Sequence, residues 1–363
     1  MDSPATIEPA QPAPDFRSVV FQSYLQGLKG VWKDDIYRDV VREAAPHAGE
    51  APERIEAAMR HHASYRLYGW LERHLQRFKY VSRYGMLPVM EERAEQLTRW
   101  LDEGARIHPG RLRLDPGIAL PDYYVEADFH QHPGGVWSDD VDAFAYEWGA
   151  NAFSFAMAAA DAPYRWMADW LVSRFAPRRV LDLGCGFGKL VIPLKARDRA
   201  MEVTGIDLSA PLLRLAHRRA IEAGLEISLL QANAESTGLP AGRFDAVACY
   251  WLLHEMPAEA IRRTLREARR LLAPGGVFAS FDMHAAPGGN IGAFLHMGHA
   301  ARNNEPFLPG LVALDLPREF AEAGFASHEL VDAMTGAPAT DARAPLAPTR
   351  THAFTVALGV AGS

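Results

Sequence analysis

The sequence predicts an α/β protein in which an open, mainly parallel sheet follows a helical N-terminal part. Three observations carry this reading. Val180-Leu-Asp-Leu-Gly-Cys-Gly-Phe-Gly-Lys-Leu190 is an apolar strand that turns on three glycines and runs into a helix. From Arg178 onward, strand and helix patterns alternate, the mark of βαβ units. Before that, from Phe16 to about Ala162, apolar residues recur at helical spacing.

Size and composition bound the answer. The chain has 363 residues, enough for two domains, and a formal net charge of −7, which disfavours a generic nucleic-acid binder. Its two cysteines, Cys185 and Cys249, lie in the glycine turn and in an apolar strand. They predict no disulfide and cannot build a cysteine-based zinc or iron–sulfur site. Residues 1–15 are rich in proline and alanine and read as a disordered tail without a signal pattern. No apolar run approaches the ~18 residues that span a bilayer. The expectation is a cytoplasmic protein with no membrane partner.

Residues 16–162 read as a helical region that covers the site and binds substrate. Helices are expected over Val19–Leu28, Asp34–Glu43, Pro52–Phe78 and Pro88–Gly104. Arg60, Arg66, Arg73, Arg77, Lys79 and Arg83 interleave with histidines and aromatics. That face reads either as an RNA-binding surface or, more plainly, as a solvated face or the subunit contact of a homodimer. The stretch Leu120–Trp137 gathers Tyr123, Tyr124, Phe129, His130, His132 and Trp137 around Pro133-Gly134-Gly135. So aromatic a loop is either a lid or a packed connection. On an extended segment His130 and His132 would point to one face. With His296 and His299 at helical spacing they could form a metal site, but no acidic ligand motif completes it, and no metal is expected. A helix over Ser138–Asp161 and another over Tyr164–Val172 lead into the sheet.

The C-terminal region, 163–363, gives strands at Arg179–Leu183, Glu202–Asp207, Ile227–Leu230, Arg243–Trp251 and Val277–Asp282, with helices between them. Ser209 is a fitting N-cap and Gly224 a fitting C-cap. Asp207 follows Gly188 by 19 residues, about where a Rossmann-type fold places the acid that binds ribose hydroxyls. Residues 284–316 interrupt the pattern as an insertion with a short helix over Ile291–Ala301. Ser327–Val331 and His352–Leu358 are expected to close the sheet as a pair of strands.

In order, Asp182-x-Gly184-x-Gly186-x-Gly188, Asp207, Gln231-Ala-Asn-Ala-Glu-Ser-Thr-Gly-Leu-Pro240, Phe244-Asp-Ala-Val247 and Pro274-Gly-Gly276 resemble the motifs of the class I S-adenosylmethionine (SAM)-dependent methyltransferases. The ubiquinone/menaquinone (UbiE-like) methyltransferases are the nearest broad group. The resemblance covers about Arg178–Phe325 and implies a Rossmann-like seven-stranded sheet with a terminal antiparallel hairpin, and SAM as cofactor. It implies that Asp182, Gly184, Gly186, Gly188, Asp207, Leu208, Asn233, Ala234 and Tyr250 hold SAM, with Asn233 standing where the family has Asp. Tyr146 or Arg165 would reach the methionine carboxylate. The Asn-Pro-Pro-Tyr signature of base and glutamine N-methyltransferases is absent.

The implied reaction is methyl transfer to a small-molecule acceptor, performed by positioning plus a histidine base. His254 is the first candidate, followed by Glu255, His130 and His132. Tyr123, Tyr124, Trp137, Trp251 and His296 are assigned to the substrate. Three other readings stand beside this one: a SAM-using enzyme that does not methylate, such as an intramolecular cyclase; an RNA methyltransferase; and a non-catalytic SAM-binding protein.

Overall fold

The computed structural model describes residues 15–153, 162–285, 289–333 and 353–362. The expected tail, the end of the Ser138–Asp161 helix and His352 lie outside the described residues.

The N-terminal part is helical: α1 (Phe16–Val31), α2 (Tyr37–Ala44), α3 (Pro52–Met59), α4 (Ala63–Val81), α5 (Met86–Glu91) and α6 (Ala94–Ala105). Asp15 caps α1 by accepting from Ser18 N. The single helix expected over Pro52–Phe78 is two. His62 takes an extended conformation and its Nδ1 meets the Glu43 carboxylate at 3.0 Å, so α4 starts afresh after it. The helix expected over Pro88–Gly104 is likewise divided, at Arg93, whose backbone leaves the helical region while its guanidinium donates to Val89 O. A short strand, β1 (Leu112–Arg113), then α7 (Asp122–Val125), α8 (Asp140–Phe153) and α9 (Ala162–Phe175) lead to the sheet.

The sheet contains β2 (Arg179–Leu183), β3 (Glu202–Asp207), β4 (Ser228–Gln231), β5 (Phe244–Tyr250), β6 (Leu272–Ala285), β7 (Phe325–Asp332) and β8 (Ala353–Ala361). Between them run α10 (Val191–Arg197), α11 (Ala210–Glu222), α12 (Ala258–Leu271), α13 (Gly289–Asn303), α14 (Leu308–Ala313) and α15 (Leu316–Glu322). The strand order is β1-β4-β3-β2-β5-β6-β8-β7. Strands β2 to β6 are parallel neighbours, while β8 runs antiparallel to both β6 and β7. The expected seven strands and hairpin are present. The eighth is β1, which the N-terminal part lends to the edge beside β4. Two residues are too few to show an alternation in sequence.

The sheet core is mainly apolar. Val180, Leu181, Leu183, Ala246, Val247 and Phe278 are fully buried. A separate apolar cluster joins the N-terminal helices to Phe187, Leu212 and Leu215 of the glycine-turn side and to Ile291, Phe294 and Leu295 of the insertion. Burial of these side chains fixes the helical layer over the carboxyl ends of the strands. The order changes direction between β2 and β5, and that crevice is where open α/β sheets bind ligands.

Candidate active site

The glycine turn lies at the end of β2. Gly184, Gly186 and Gly188 have φ of +69°, +52° and +95°, values that glycine alone takes without strain. A Cβ on Gly184 would lie 2.8 Å from Leu252 Cδ1, whereas one on Gly186 would enter open space. That open space in front of Gly186 is the room a ligand needs. At the end of β3 the Asp207 carboxylate accepts from Gly186 N and Ser209 N, both at 2.8 Å. Burial pushes Asp207 up to about 6, against the pull of these amides. Asp182 is buried, and its Oδ1 makes no hydrogen bond. Burial and then the charge of Asp207 raise it well above the usual carboxylate range. A buried acceptor without a donor beside a glycine cradle fits a polar, cationic ligand such as the ammonium-bearing end of SAM. Ser209 caps α11 and also donates to Val136 O, which ties the lid to this turn.

The other predicted cofactor residues are distributed around this point. Leu208 O accepts from Gln231 Nε2, and Asn233 Oδ1 accepts from Glu235 N at 2.9 Å. Asn233 lines a groove of about 950 Å³ with Tyr123, Pro257, Arg263 and Phe307, while Ala234 is buried beside it. Tyr250 is stacked between Tyr164 and Phe281 at centroid distances of 4.0 and 4.2 Å, so a ligand can meet only its edge. Tyr146 meets Phe187 of the glycine turn edge-on at 6.0 Å. Arg165 is exposed on α9. Its neighbour Tyr164 faces the site instead, with Lys189 Nζ 4.9 Å from its ring. Neither Tyr164 nor Lys189 was singled out from the sequence, although Lys189 directly follows the third glycine.

A second group of candidate residues is built on the residues after β5 and at the end of β6. Trp251 has φ +59°, a left-handed conformation that a tryptophan holds only where its surroundings require it. His254 is 1% exposed. Its Nδ1 lies 2.9 Å from Asp282 Oδ1, and its Nε2 makes no hydrogen bond. Burial works against its charge, but Asp282 outweighs this and raises the imidazole. Glu255 Oε1 lies 4.0 Å from Nε2.

The lid departs from the extended segment expected for it. His130 and Gln131 have φ of +54° and +60°, and residues 129–131 form a 3-10 turn. The two histidines therefore do not share a face. His130 is held between Glu305 (Nδ1, 3.0 Å) and Glu255 (Nε2, 3.1 Å). Burial opposes its charge, but the two carboxylates push it up to about 10. It is thus an imidazolium near neutrality and takes no proton. His132 packs edge-on against Tyr80, and burial, then the Lys79 charge, pushes it down to about 4. It too is a poor base at neutral pH. His296 is buried within α13 and burial pushes it down to about 4.

Around these residues runs an alternating chain of imidazoles and carboxylates. Glu305 lies 3.6 Å from His299 Nε2, and His299 Nδ1 lies 2.6 Å from Glu72, which Arg302 also holds. Asp282, Glu305 and Glu72, which hold the histidines of this cluster, were not singled out from the sequence. His130, His254 and Glu255 each place a ligand atom within 4.8 Å of the others. His130 has a carboxylate on each nitrogen and no lone pair to offer a metal ion in this arrangement.

Residues 120–137 pack over these groups. Tyr123 Oη donates to Glu235 (2.7 Å), Gln131 Nε2 to Arg302 O (3.0 Å) and Asn304 Nδ2 to Asp128 O (2.9 Å). Tyr124, Trp137, Tyr146, His130 and Glu255 line a small enclosed cavity of about 20 Å³ beneath it. Burial, then the charges of Asp207 and Glu255, keep the Tyr124 phenol protonated. Tyr124 thus stands between the two groups of candidate residues.

An open parallel sheet with a glycine turn after its first central strand and an acid after the next defines a Rossmann-like protein that binds a nucleoside-bearing ligand at the strand ends. The comparisons with known proteins narrow this. Residues 180–276 match the family described as a methyltransferase domain. The demethylmenaquinone methyltransferase of Thermus thermophilus is 35% identical over 154 residues, covering 42% of this chain and 68% of that enzyme. The ubiquinone biosynthesis O-methyltransferase of Pseudomonas aeruginosa is 33% identical over 144 residues, 38% of this chain and 59% of that one. Among solved structures, phosphoethanolamine N-methyltransferase 2 of Haemonchus contortus, determined with SAM, is 15% identical over 68% of this chain and 61% of its own, with a TM-score of 0.46. The chain belongs to the class I SAM-dependent methyltransferases, and SAM is its cofactor.

Proposed function

We propose that this protein transfers the methyl group of SAM to a small-molecule acceptor held beneath the lid, with His254 taking the acceptor's proton. The observation that carries this is the buried His254 Nε2, which makes no hydrogen bond while Nδ1 is held by Asp282. Asp282 fixes the tautomer with the proton on Nδ1, leaving the Nε2 lone pair for the acceptor. Bound SAM supplies a methyl group already activated on a sulfonium. What the protein adds is orientation and exclusion of water. Asp207 would take the ribose hydroxyls, Asn233 the adenine edge and Asp182 the cationic methionine end, while Gly186 leaves space for the ligand backbone. Residues 16–162 and the insertion 284–316 would form the acceptor side, and the rest of the SAM-binding region 163–363 the cofactor side. His130, charged between Glu255 and Glu305, would hold the Glu255 carboxylate in place beside His254.

The names of the Thermus and Pseudomonas relatives point to hydroxylated quinol-type rings as acceptors. Tyr124, Trp137, Tyr146 and Trp251 offer the flat apolar surfaces that such a ring would pack against. No helix of the described residues is long and apolar enough to cross a membrane. With two buried free cysteines, the reading is of a cytoplasmic enzyme.

A second reading, an intramolecular reaction of SAM, is favoured by the aromatic lining that Tyr124, Trp137 and Tyr146 give to this part of the site. Product analysis separates the two. Incubated with SAM and a panel of dihydroxybenzenes and dihydroxynaphthalenes, the protein should form S-adenosylhomocysteine only when an acceptor is present. Methylthioadenosine formed from SAM alone would refute methyl transfer as the reaction.

A further inference from the structure

Eleven large apolar side chains are exposed among the described residues, and nine of them lie on just two helices, α1 and α4. On α1 they are Phe16 (81% exposed), Val19, Val20, Tyr24 (61%) and Val31. On α4 they are Leu67, Trp70 (53%), Phe78 and Val81. At 100° per residue each set falls on one side of its helix, within an arc of about 140°, opposite the residues that pack inward. The two helices lie side by side and antiparallel. Gln22 Nε2 donates to Lys79 O and, ten residues on and just past the end of α1, Trp32 Nε1 donates to Tyr68 O, both at 3.1 Å. Isolated exposed apolar residues are ordinary, but this concentration marks a contact surface.

The charge of these helices identifies the partner. Arg17, Arg66, Arg73 and Arg77 are exposed on the same two helices, and Arg60 and Arg83 flank α4. The only acid on either helix is Glu72, which is buried and engaged by Arg302 and His299. The chain as a whole carries −7, so this is a local basic face on an acidic protein. A second copy related by a two-fold axis would set arginine against arginine. A nucleic acid would use the arginines but would leave Phe16, Val19, Val20 and Leu67 in water. A surface combining anionic head groups with an apolar layer beneath satisfies both halves: arginines reach the phosphates while the aromatic and aliphatic side chains enter the boundary.

We propose that the α1–α4 face docks the protein on an anionic lipid surface, lying on it without spanning it. The inference is independent of the chemistry assigned to the active site. The acidic remainder of the chain would turn away from the same surface, which fixes the orientation of the docked molecule.

The test is sedimentation of the full-length protein with vesicles of phosphatidylcholine alone and of phosphatidylcholine with phosphatidylglycerol, at low and raised salt. Binding is expected only to the phosphatidylglycerol vesicles and should weaken with salt. The triple variant Arg66→Glu/Arg73→Glu/Arg77→Glu should bind roughly a hundredfold more weakly, and Trp70→Ser/Phe78→Ser should also weaken binding. These positions are exposed, and retention of the wild-type circular dichroism and of S-adenosylhomocysteine binding shows that the variants are folded. Three outcomes would overturn the proposal. One is no binding to phosphatidylglycerol vesicles, or binding that neither variant changes. Another is a dimer by light scattering that Trp70→Ser/Phe78→Ser dissociates, which gives the face to a second copy. The third is RNA retardation that the arginine variant abolishes, without vesicle binding.

Discussion

The half-buried His130 ties residues 120–137 to Glu255 and Glu305, and Glu305→Gln tests how strongly. Glu305 is buried and accepts from His130 at 3.0 Å, with Glu255 on the other ring nitrogen at 3.1 Å. Two unit charges 3.0 Å apart at an effective dielectric of 20 attract by about 5 kcal/mol. Since Glu255 remains and the His130 side chain is 23% exposed, about half of that, 2–3 kcal/mol, is the expected loss. By linkage, about 2.7 kcal/mol corresponds to a fall of about two units, so His130 should drop from about 10 to about 8. The sign follows from the raised value. Stability from the charged imidazole is fully present below its unfolded value of about 6.5 and is lost as pH rises through the folded one. The deficit of the variant should therefore be about 2–3 kcal/mol at pH 7, fall to about half by pH 9, and nearly vanish above pH 10. At pH 7 this lowers Tm by about 3–4 °C for a chain of this length. The assays are denaturant unfolding from pH 6 to 10 and NMR titration of the His130 ring. A wild-type His130 that titrates near 6.5, or a deficit that does not change with pH, would refute the reasoning.

Other predictions concern the cofactor and acceptor ends. Asp207→Ala should weaken S-adenosylhomocysteine binding by about 2–3 kcal/mol, the worth of hydrogen bonds to a charged group, as measured by calorimetry. Because burial holds Asp207 at about 6, affinity in the wild type should fall as pH drops below 6, by up to about tenfold per unit, as the carboxylate is protonated and loses acceptor capacity. Gly184→Ala forces a side chain into a left-handed backbone and against Leu252. Fluorescence titration should show at least about a tenfold loss of affinity. His254→Ala should leave S-adenosylhomocysteine affinity unchanged while lowering methyl transfer by about 10²–10⁴ in a radiolabelled-methyl assay. A parallel loss of both would make the residue structural.

The bounds of β2 and β3, the glycine turn and the Ser209 cap were legible in the sequence because each depends on residues within a few positions of one another. Asp207, whose carboxylate meets Gly186 N 21 residues away, could be singled out by its regular spacing from the glycine turn. The acceptor half was only partly legible. His254 and Glu255 could be found because they follow a recognisable strand. Asp282, Glu305 and Glu72, which hold His254, His130 and His299, are 28, 175 and 227 residues from those partners, and no spacing announces them. His130-x-His132 failed as an alternating pair for a different reason. Two consecutive left-handed residues reverse the pleat, a conformation without a glycine to signal it. Arg165 was chosen for its charge, but helical geometry turns it outward and leaves Tyr164 on the site. β1 and the break before α4 are likewise set by tertiary partners, Leu229–Leu230 and Glu43, rather than by their own residues.

The most direct test of the account is calorimetric titration of the purified full-length protein with S-adenosylhomocysteine. The structure predicts one molecule bound per chain, with affinity lost in Asp207→Ala and in Gly184→Ala and retained in His254→Ala. Absence of binding, or binding that the Asp207 and Gly184 substitutions leave unchanged, would contradict the placement of the cofactor at the end of β2 and β3.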